Sequence, residues 1–171
     1  MRLIHNPWVG TCPEYNCFGC CPTNPIGAQM RFYEDGEDIV SLWKPTQNHQ
    51  SWINTLHGGV QAVLLDEVCG WVVFHKLHTA GVTAKMEMRY HKPVSTLQSY
   101  IKLRARIKEM RRNVAIVVGE IWSEGEKELL CECVCTYFTF PQEKAIAEMG
   151  FLPSTTEGED IRWDELVESL K

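Results

Sequence analysis

The longest apolar segment of the chain runs from Gly58 to Leu77, and its apolar side chains cover every direction around a helix. They are Val60, Ala62, Val63, Leu64, Leu65, Val68, Cys69, Trp71, Val72, Val73 and Phe74. A helix that is apolar all round is enclosed by other elements rather than laid on a surface. The pattern therefore predicts one long, enclosed helix.

Apolar and polar residues alternate along most of the remaining chain. In the clearest case, which begins at Leu97, the apolar residues Ile101, Leu103, Ala105 and Ile107 alternate with polar ones. This period predicts a strand with one buried face, and its length indicates a strongly curved antiparallel sheet. Val114–Val118 is apolar on both faces, which favours a position inside the sheet. Further strands are predicted at Ala28–Tyr33, Ile39–Trp43, Val82–Lys92, Val114–Trp122 and Leu129–Phe140, the first two joined by a hairpin turn.

The predicted order is two strands, one long helix and four strands. An enclosed helix and a curved antiparallel sheet bury each other, so we predict the α+β architecture called the hot-dog fold, a sheet wrapped around one central helix. We divide the chain into an irregular Cys- and Pro-rich lead-in (1–27), the hot-dog domain (28–141) and a C-terminal loop with a short helix (142–171). The apolar positions Ile161, Leu166 and Leu170 predict that helix, which we expect to be peripheral.

Length, composition and charge exclude several classes of protein. A chain of 171 residues suits one domain, and its net charge of −5 argues against a generally basic nucleic-acid-binding protein. Gln61, Asp66 and Glu67 interrupt the longest apolar stretch, so we expect no membrane-spanning helix. Residues 1–10 lack the apolar core of a secretory signal, so we expect a cytoplasmic protein with reduced thiols.

The eight cysteines form two clusters and one isolated position at Cys69. In the second cluster, Cys131, Cys133 and Cys135 alternate along a predicted strand, where neighbours on one face are about 6.6–6.8 Å apart. Three thiolates at that spacing do not converge easily on one zinc ion. We therefore interpret them as small buried hydrophobic side chains.

The first cluster, Cys12, Cys17, Cys20 and Cys21, places four thiols within ten residues, and four is the number of ligands in a structural zinc site. However, the second Cys or His pair of a zinc ribbon is missing, and the adjacent Cys20 and Cys21 point apart in most backbones. We expect a packed N-terminal turn and no metal.

The candidate chemistry lies at the start of the helix, at His57-Gly58-Gly59, and at Asp66. The two glycines leave first-turn N–H groups accessible, and the helix dipole adds positive potential, which suits a carbonyl oxygen that becomes negative during acyl transfer. A carboxylate in an apolar helix is costly, so Asp66 is a candidate base or nucleophile. Glu67 points about 100° away, and its longer side chain reaches solvent more easily. In the structural alternative, Asp66 pairs with a buried polar group and His57 only packs.

The segment HGGVQAVLLDEVCGW, from His57 to Trp71, resembles the signature of the phenylacetic-acid-degradation type (PaaI-like) hot-dog thioesterases. Gly81-Val82-Thr83, which leads into Tyr90–Val94, resembles the strand that follows the helix in that family. Cys17-Phe18-Gly19-Cys20, followed by Asn24–Gly27, resembles an N-terminal element of one branch. The resemblance extends from about Cys17 to Phe140.

This resemblance implies hydrolysis of acyl-CoA thioesters without a metal or an organic cofactor, coenzyme A being part of the substrate. Asp66 matches the catalytic carboxylate, and an N–H of Gly58 or Gly59 would polarise the thioester carbonyl. His57 would shape the turn, and Thr83 matches a hydroxyl near the attacking water.

The resemblance also implies a homodimer, or a dimer of dimers, with each site built across the interface. Some relatives carry Asn or Gln six residues before the histidine, where this chain has Ser51. We expect Gln50 or Asn54 to take that substrate-binding role. Whether Asp66 is base or nucleophile stays open.

Two other functions remain as alternatives. An acyl-thioester dehydratase or hydratase needs a histidine and an acid that converge on the acyl chain, yet the helix offers no histidine before His75. A non-catalytic acyl-CoA-binding module would have no use for Asp66. Basic residues also line one predicted strand, at Lys102, Arg104, Arg106 and Lys108, with Arg111 and Arg112 after it. This basic row is either a phosphate-binding surface or an ordinary solvated face.

Overall fold

The computed structural model describes residues 1–169, and the strands of this part of the chain form one antiparallel sheet of eight. The order across the sheet is β4-β7-β6-β5-β3-β2-β1-β8. The strands are β1 (Arg2–Ile4), β2 (Tyr33–Asp35), β3 (Asp38–Trp43), β4 (Gly81–Tyr90), β5 (Ile101–Arg111), β6 (Val114–Trp122), β7 (Leu129–Thr139) and β8 (Thr156–Glu157). The helices are α1 (Gly58–Lys76), α2 (Gln142–Met149) and α3 (Trp163–Glu168).

The long helix α1 packs against the inner face of the sheet, so the predicted architecture of one helix against an antiparallel sheet is confirmed. Leu64, Leu65, Val68, Cys69 and Val72 are fully buried there, and burial of each aliphatic side chain contributes about 1.5–3 kcal/mol. The helix lies very close to β6. A Cβ at Gly119 would be 2.7 Å from the Cys69 Sγ, so only glycine fits at that point of the strand.

One stripe of α1 is only partly covered by its own chain, which differs from the predicted full enclosure. Gly59 is exposed, and Ala62, Val63, Asp66 and Gly70, which follow it at helical spacing, are half-buried. The neighbouring strand β4 is an edge of the sheet and is mostly exposed. Helix stripe and edge strand are therefore both available to a second chain.

The first predicted strand, Ala28–Tyr33, is wrong in extent, because the strand begins only at Tyr33. The backbone before it pairs elsewhere: the N–H groups of Ala28 and Met30 donate to Phe18 O and Gly19 O at 2.7 and 2.9 Å. These bonds tie residues 28–30 to the cysteine-containing loop instead of to a strand.

The predicted strand from Leu97 also begins later, at Ile101, and Leu97 is 67% exposed in the loop before it. The position of β6 inside the sheet, between β5 and β7, is confirmed. The sequence pattern did not predict β1, β8 or α2. The first two have only three and two residues, too few to show alternation.

The C-terminal helix α3 is not peripheral as expected, since Leu166 is buried against Tyr33, Val40, Leu42 and Tyr100. Trp163 covers the Lys102 ammonium, which lies 3.6 Å from the ring centroid. Leu170 lies outside the described residues. Within residues 1–169, no helix is both long and apolar enough to cross a membrane.

Candidate active site

His57 caps the start of α1, with its Nδ1 accepting the Gly59 N–H at 2.9 Å. The Gly59 amide is therefore occupied within its own chain. The Gly58 N–H, by contrast, has no hydrogen-bond acceptor among residues 1–169. Of the two glycines, Gly58 is the one whose amide remains available to a ligand.

Gln50, Ser51 and Asn54 lie in the loop before α1, and their hydrogen bonds shape that loop. The Gln50 Oε1 accepts the Asn54 N–H at 3.1 Å, and the Ser51 N–H donates to Thr55 O at 2.9 Å. Asn54 has a positive φ of 59°, a conformation that asparagine tolerates better than most residues. The structure thus brings these three residues to the helix start and not to Asp66.

Asp66 lies two turns into α1 and faces β4 and β7. Its Oδ1 accepts two hydrogen bonds, from the Thr83 hydroxyl at 2.9 Å and from the Tyr137 hydroxyl at 3.2 Å. Within residues 1–169, no cation pairs with Asp66 and no donor contacts its Oδ2. One carboxylate oxygen is therefore fixed by two hydrogen bonds, while the other accepts none from the described residues.

Tyr137 was not among the residues selected from the sequence. Its hydroxyl also lies 3.0 Å from the Asp66 carbonyl oxygen, so it spans the backbone and the side chain of one residue. Burial raises the pKa of Tyr137, as does the nearby Asp66 charge, so the phenol keeps its proton and donates. The alternation of β7 could have indicated it, because Tyr137 shares the buried face of Cys131, Cys133 and Cys135.

A cavity of about 300 Å³ opens beside Asp66. Its wall combines the polar groups of Asp66, Thr83 and Tyr137 with aromatic side chains from two parts of the chain. The aromatic residues are Trp8, Tyr15, Trp71 and Phe74. A mostly apolar cavity with a few convergent polar groups is typical of a small-molecule site.

One chain does not bring the predicted groups together. Gly58 and Asp66 are eight residues apart on the same helix, which corresponds to about 12 Å along its axis. The free Gly58 amide and the Asp66 carboxylate therefore cannot both contact one small reacting group within a single chain.

A second cluster, consisting of Cys17, Cys20 and Glu67, lies in the same cavity wall. The two sulfurs are 3.3 Å apart, and the Cys17 Sγ is 3.6 Å from the Glu67 Oε1. The expectation that Glu67 reaches solvent is wrong, because its carboxylate turns inward and accepts the Trp71 Nε1–H at 3.2 Å. Burial, reinforced by the charge of Cys17, raises the pKa of Glu67 to about 7.

The other cysteines do not join this cluster. The Cys21 Sγ turns toward Tyr15 O and Thr23, and Cys12 contacts Thr11. Cys133 and Cys135 on β7 come closer than predicted, at 3.7 Å between sulfurs, and Cys69 lies 3.8 Å from Cys133. All three are buried among apolar side chains.

Acidic residues of the sheet and its loops form ion pairs with part of the predicted basic row. Lys102 is 2% exposed and pairs with Glu126 at 2.9 Å, while Arg104 pairs with Asp38 and Glu126 at 3.2 Å each. Arg106 and Lys108 remain exposed, beside a groove of about 430 Å³ on the outer face of the sheet.

The family model described as the thioesterase superfamily matches residues 53–130, which include the helix start, Asp66 and Thr83. No curated protein sequence matches the chain. Among solved structures, a thioesterase superfamily protein superposes with a TM-score of 0.63 at 21% identity. The match covers 68% of this chain but only 57% of that one.

Other solved structures match over most of their own length. A hypothetical thioesterase from Streptococcus pneumoniae, solved with coenzyme A, has a TM-score of 0.60 at 19% identity, covering 66% of this chain and 90% of its own. A phenylacetic acid degradation-related protein from Ralstonia eutropha gives 0.58 at 19%, covering 66% and 86%. Residues 53–130 thus resemble the thioesterase superfamily, and the solved structures share the predicted hot-dog fold, which is thereby confirmed.

Proposed function

We propose that this protein hydrolyses acyl-CoA thioesters, with Asp66 as the catalytic carboxylate. The observation that carries the proposal is the pair of hydroxyl donors, Thr83 and Tyr137, on one oxygen of a carboxylate that borders a cavity. Two charge-assisted hydrogen bonds fix the orientation of the anion. They leave the other oxygen to act on water or on the thioester itself.

In the proposed reaction, the Asp66 Oδ2 either takes a proton from a water that attacks the thioester carbon, or attacks that carbon directly to form an anhydride. Either route breaks the carbon–sulfur bond, and the CoA thiolate leaves and takes up a proton. In the first route the free acid forms directly, and in the second a water then hydrolyses the anhydride, which releases the free acid and regenerates Asp66. The base or nucleophile is a carboxylate and the electrophilic groups are backbone amides, so the reaction as proposed needs no metal or organic cofactor.

The carbonyl oxygen needs a donor that one chain does not place beside its own Asp66. We assign this role to the Gly58 N–H of a second copy, where the helix dipole favours the developing negative charge. The partly covered stripe of α1 and the exposed edge strand β4 would form the contact between the two copies. His57 positions this turn through its cap on Gly59.

Two solved relatives support a CoA thioester as substrate. The Streptococcus pneumoniae protein was solved with coenzyme A, and a Streptococcus mutans protein (TM-score 0.61, 14% identity) with acetyl-CoA. The pneumococcal protein was also solved with one aspartate, and separately one threonine, replaced by alanine. Asp66 and Thr83 bring these two residue types into contact here.

We assign the CoA phosphates to the exposed Arg106 and Lys108.

The test is a panel of acyl-CoA substrates of different chain length and aromatic content, followed by thiol release. Release of free CoA is the expected result. Loss of water from a 3-hydroxyacyl thioester without thiol release would instead indicate a dehydratase. Tight binding of acyl-CoA without turnover would indicate a binding module, and either outcome would overturn the proposal.

A further inference from the structure

The cluster of Cys17, Cys20 and Glu67 has no part in the proposed hydrolysis, although it lies in the wall of the same cavity. Its ligand-type atoms all lie within 4.8 Å of one another. The two cysteines come from the N-terminal loop and the glutamate from α1, fifty residues later in the chain. Side chains so distant in sequence converge here in an arrangement that the N-terminal turn alone does not explain.

The charges of the cluster are not compensated by the protein. Within residues 1–169, no lysine or arginine pairs with Glu67, whose carboxylate accepts from the Cys17 thiol and the Trp71 Nε1–H. A carboxylate withdrawn from water is costly unless a cation or a proton neutralises it. Two thiols and a carboxylate in mutual contact are the donor set that a divalent metal ion neutralises.

The distances are close to those of a tetrahedral zinc site. With Zn–S of about 2.3 Å and Zn–O of about 2.0 Å, ligand atoms would lie about 3.5–3.8 Å apart. The observed Cys17–Cys20 S···S distance of 3.3 Å and the Cys17 Sγ···Glu67 Oε1 distance of 3.6 Å are each within a few tenths of an ångström of these values, and the third pair lies within 4.8 Å.

Neighbouring groups already hold the three side chains in place. The Tyr15 hydroxyl lies 2.8 Å from the Cys20 Sγ and accepts a hydrogen bond from the Asn6 amide at 2.9 Å. Trp71 holds the Glu67 carboxylate. A Cβ at Gly19 would lie 2.2 Å from the Glu67 Oε2, so a larger residue at this position would displace the Glu67 carboxylate. Such outer hydrogen bonds orient ligands in protein metal sites.

We propose that Cys17, Cys20 and Glu67 bind one Zn²⁺ ion, with water in the fourth position, which opens to the cavity beside Asp66. Both thiols lose their protons when the ion binds. The ion joins the N-terminal loop to α1 and so fixes the cavity wall that carries Trp8 and Tyr15. The proposal adds to the proposed function and does not depend on it.

The test uses the full chain, reduced with a phosphine, and titrates it with Co²⁺ and then Zn²⁺. We expect one equivalent of Co²⁺ to bind with thiolate-to-cobalt charge-transfer absorption, and Zn²⁺ to displace it. Cys17→Ser and Glu67→Gln should weaken binding at least about tenfold, with circular dichroism used to verify that each variant folds. Cys12→Ser and Cys21→Ser are matched controls, because both thiols point away from the cluster, and they should bind as the wild type does.

Two results would overturn the proposal. One is the absence of Co²⁺ binding by wild-type chain whose thiols are shown by alkylation to be reduced. The other is a charge-transfer signal that survives in Cys17→Ser but is lost in Cys133→Ser, which would place the metal among the buried cysteines of the sheet. These readouts measure metal binding, so they are independent of whether the protein hydrolyses thioesters.

Discussion

At the scale of single residues, the orientation of Asp66 depends on hydroxyl groups from two different strands. Tyr137 contributes hydrogen bonds to both the side chain and the carbonyl oxygen of Asp66, and Thr83 contributes one to the side chain. A carboxylate held in this way has one defined direction for its second oxygen. This geometry distinguishes Asp66 from the other acids of the chain.

Tyr137→Phe should lower kcat for acyl-CoA hydrolysis about tenfold, because it removes one of the two donors to the Asp66 carboxylate while keeping the ring. Thr139→Val is the matched control, since it removes a hydroxyl from the same strand whose one hydrogen bond within residues 1–169 goes to Asn113 O. Steady-state thiol release for both variants checks this. Equal kcat for wild type and Tyr137→Phe would show that the hydroxyl does not position Asp66.

The sequence predicted part of this site. A carboxylate in an apolar helix is energetically costly, which indicates Asp66 as a candidate, and the family resemblance indicates Thr83. The two side chains are in contact. The prediction for Glu67 is wrong because helical spacing gives the direction of a side chain but not the elements that cover it. The loop that covers it comes from residues 17–20, whose path depends on backbone bonds to residues 28–30 that no local pattern encodes.

At the scale of elements, the Glu34 carboxylate of strand β2 binds side chains at the C-terminal end of α1. Glu34 accepts a hydrogen bond from the Lys76 ammonium and lies 3.5 Å from the His75 Nε2. Burial raises the pKa of Glu34, but the hydrogen bond and charge of Lys76 outweigh it and hold that pKa below its ordinary value. A lowered carboxyl pKa contributes stability above the unfolded-state pKa, and this stability is lost as the pH falls through the folded-state value.

Glu34→Gln should therefore lower the free energy of unfolding by about 1 kcal/mol at neutral pH, with the difference from wild type shrinking below about pH 4. Urea unfolding at several pH values measures it. Glu87→Gln, which removes an exposed partner of Lys85, should have almost no effect. A gap that stays constant from neutral to acid pH would show that the ion pair is not the cause.

The elements themselves were predictable where the pattern is long. The helix and the strands β6 and β7 lie where periodicity places them, because each buries a regular row of side chains. The predictions were wrong where local pattern and tertiary pairing conflict. Ala28–Phe32 alternates like a strand, yet its backbone pairs with the cysteine loop, and Leu97 is apolar yet exposed beside a turn.

At the scale of the whole molecule, the proposed reaction needs two groups that a single chain holds apart. The free Gly58 amide lies at the start of α1, and Asp66 lies about 12 Å further along the helix. A two-fold dimer that joins the stripe of α1 and the edge strand β4 of two copies would complete two equivalent sites.

Mixed dimers test directly whether each site combines residues of two chains. Gly58→Pro removes the amide hydrogen at a position where proline suits the first turn of a helix, and Asp66→Asn removes the carboxylate. Each variant alone should be nearly inactive. After denaturation and joint refolding, half of the dimers should be mixed, each with one intact site, which restores about a quarter of the wild-type activity. Equal inactivity of the mixture would place both groups in a one-chain site, contrary to this account.

The most direct measurement is acyl-CoA hydrolysis by Asp66→Asn, followed by thiol release alongside the wild type, with sedimentation and unfolding measured on the same samples. The account predicts that kcat falls about 10²–10⁴-fold while assembly and stability stay near those of the wild type, because asparagine keeps the size and the acceptor oxygen but not the charge. Hydrolysis by Asp66→Asn at the wild-type rate would contradict the role given to Asp66.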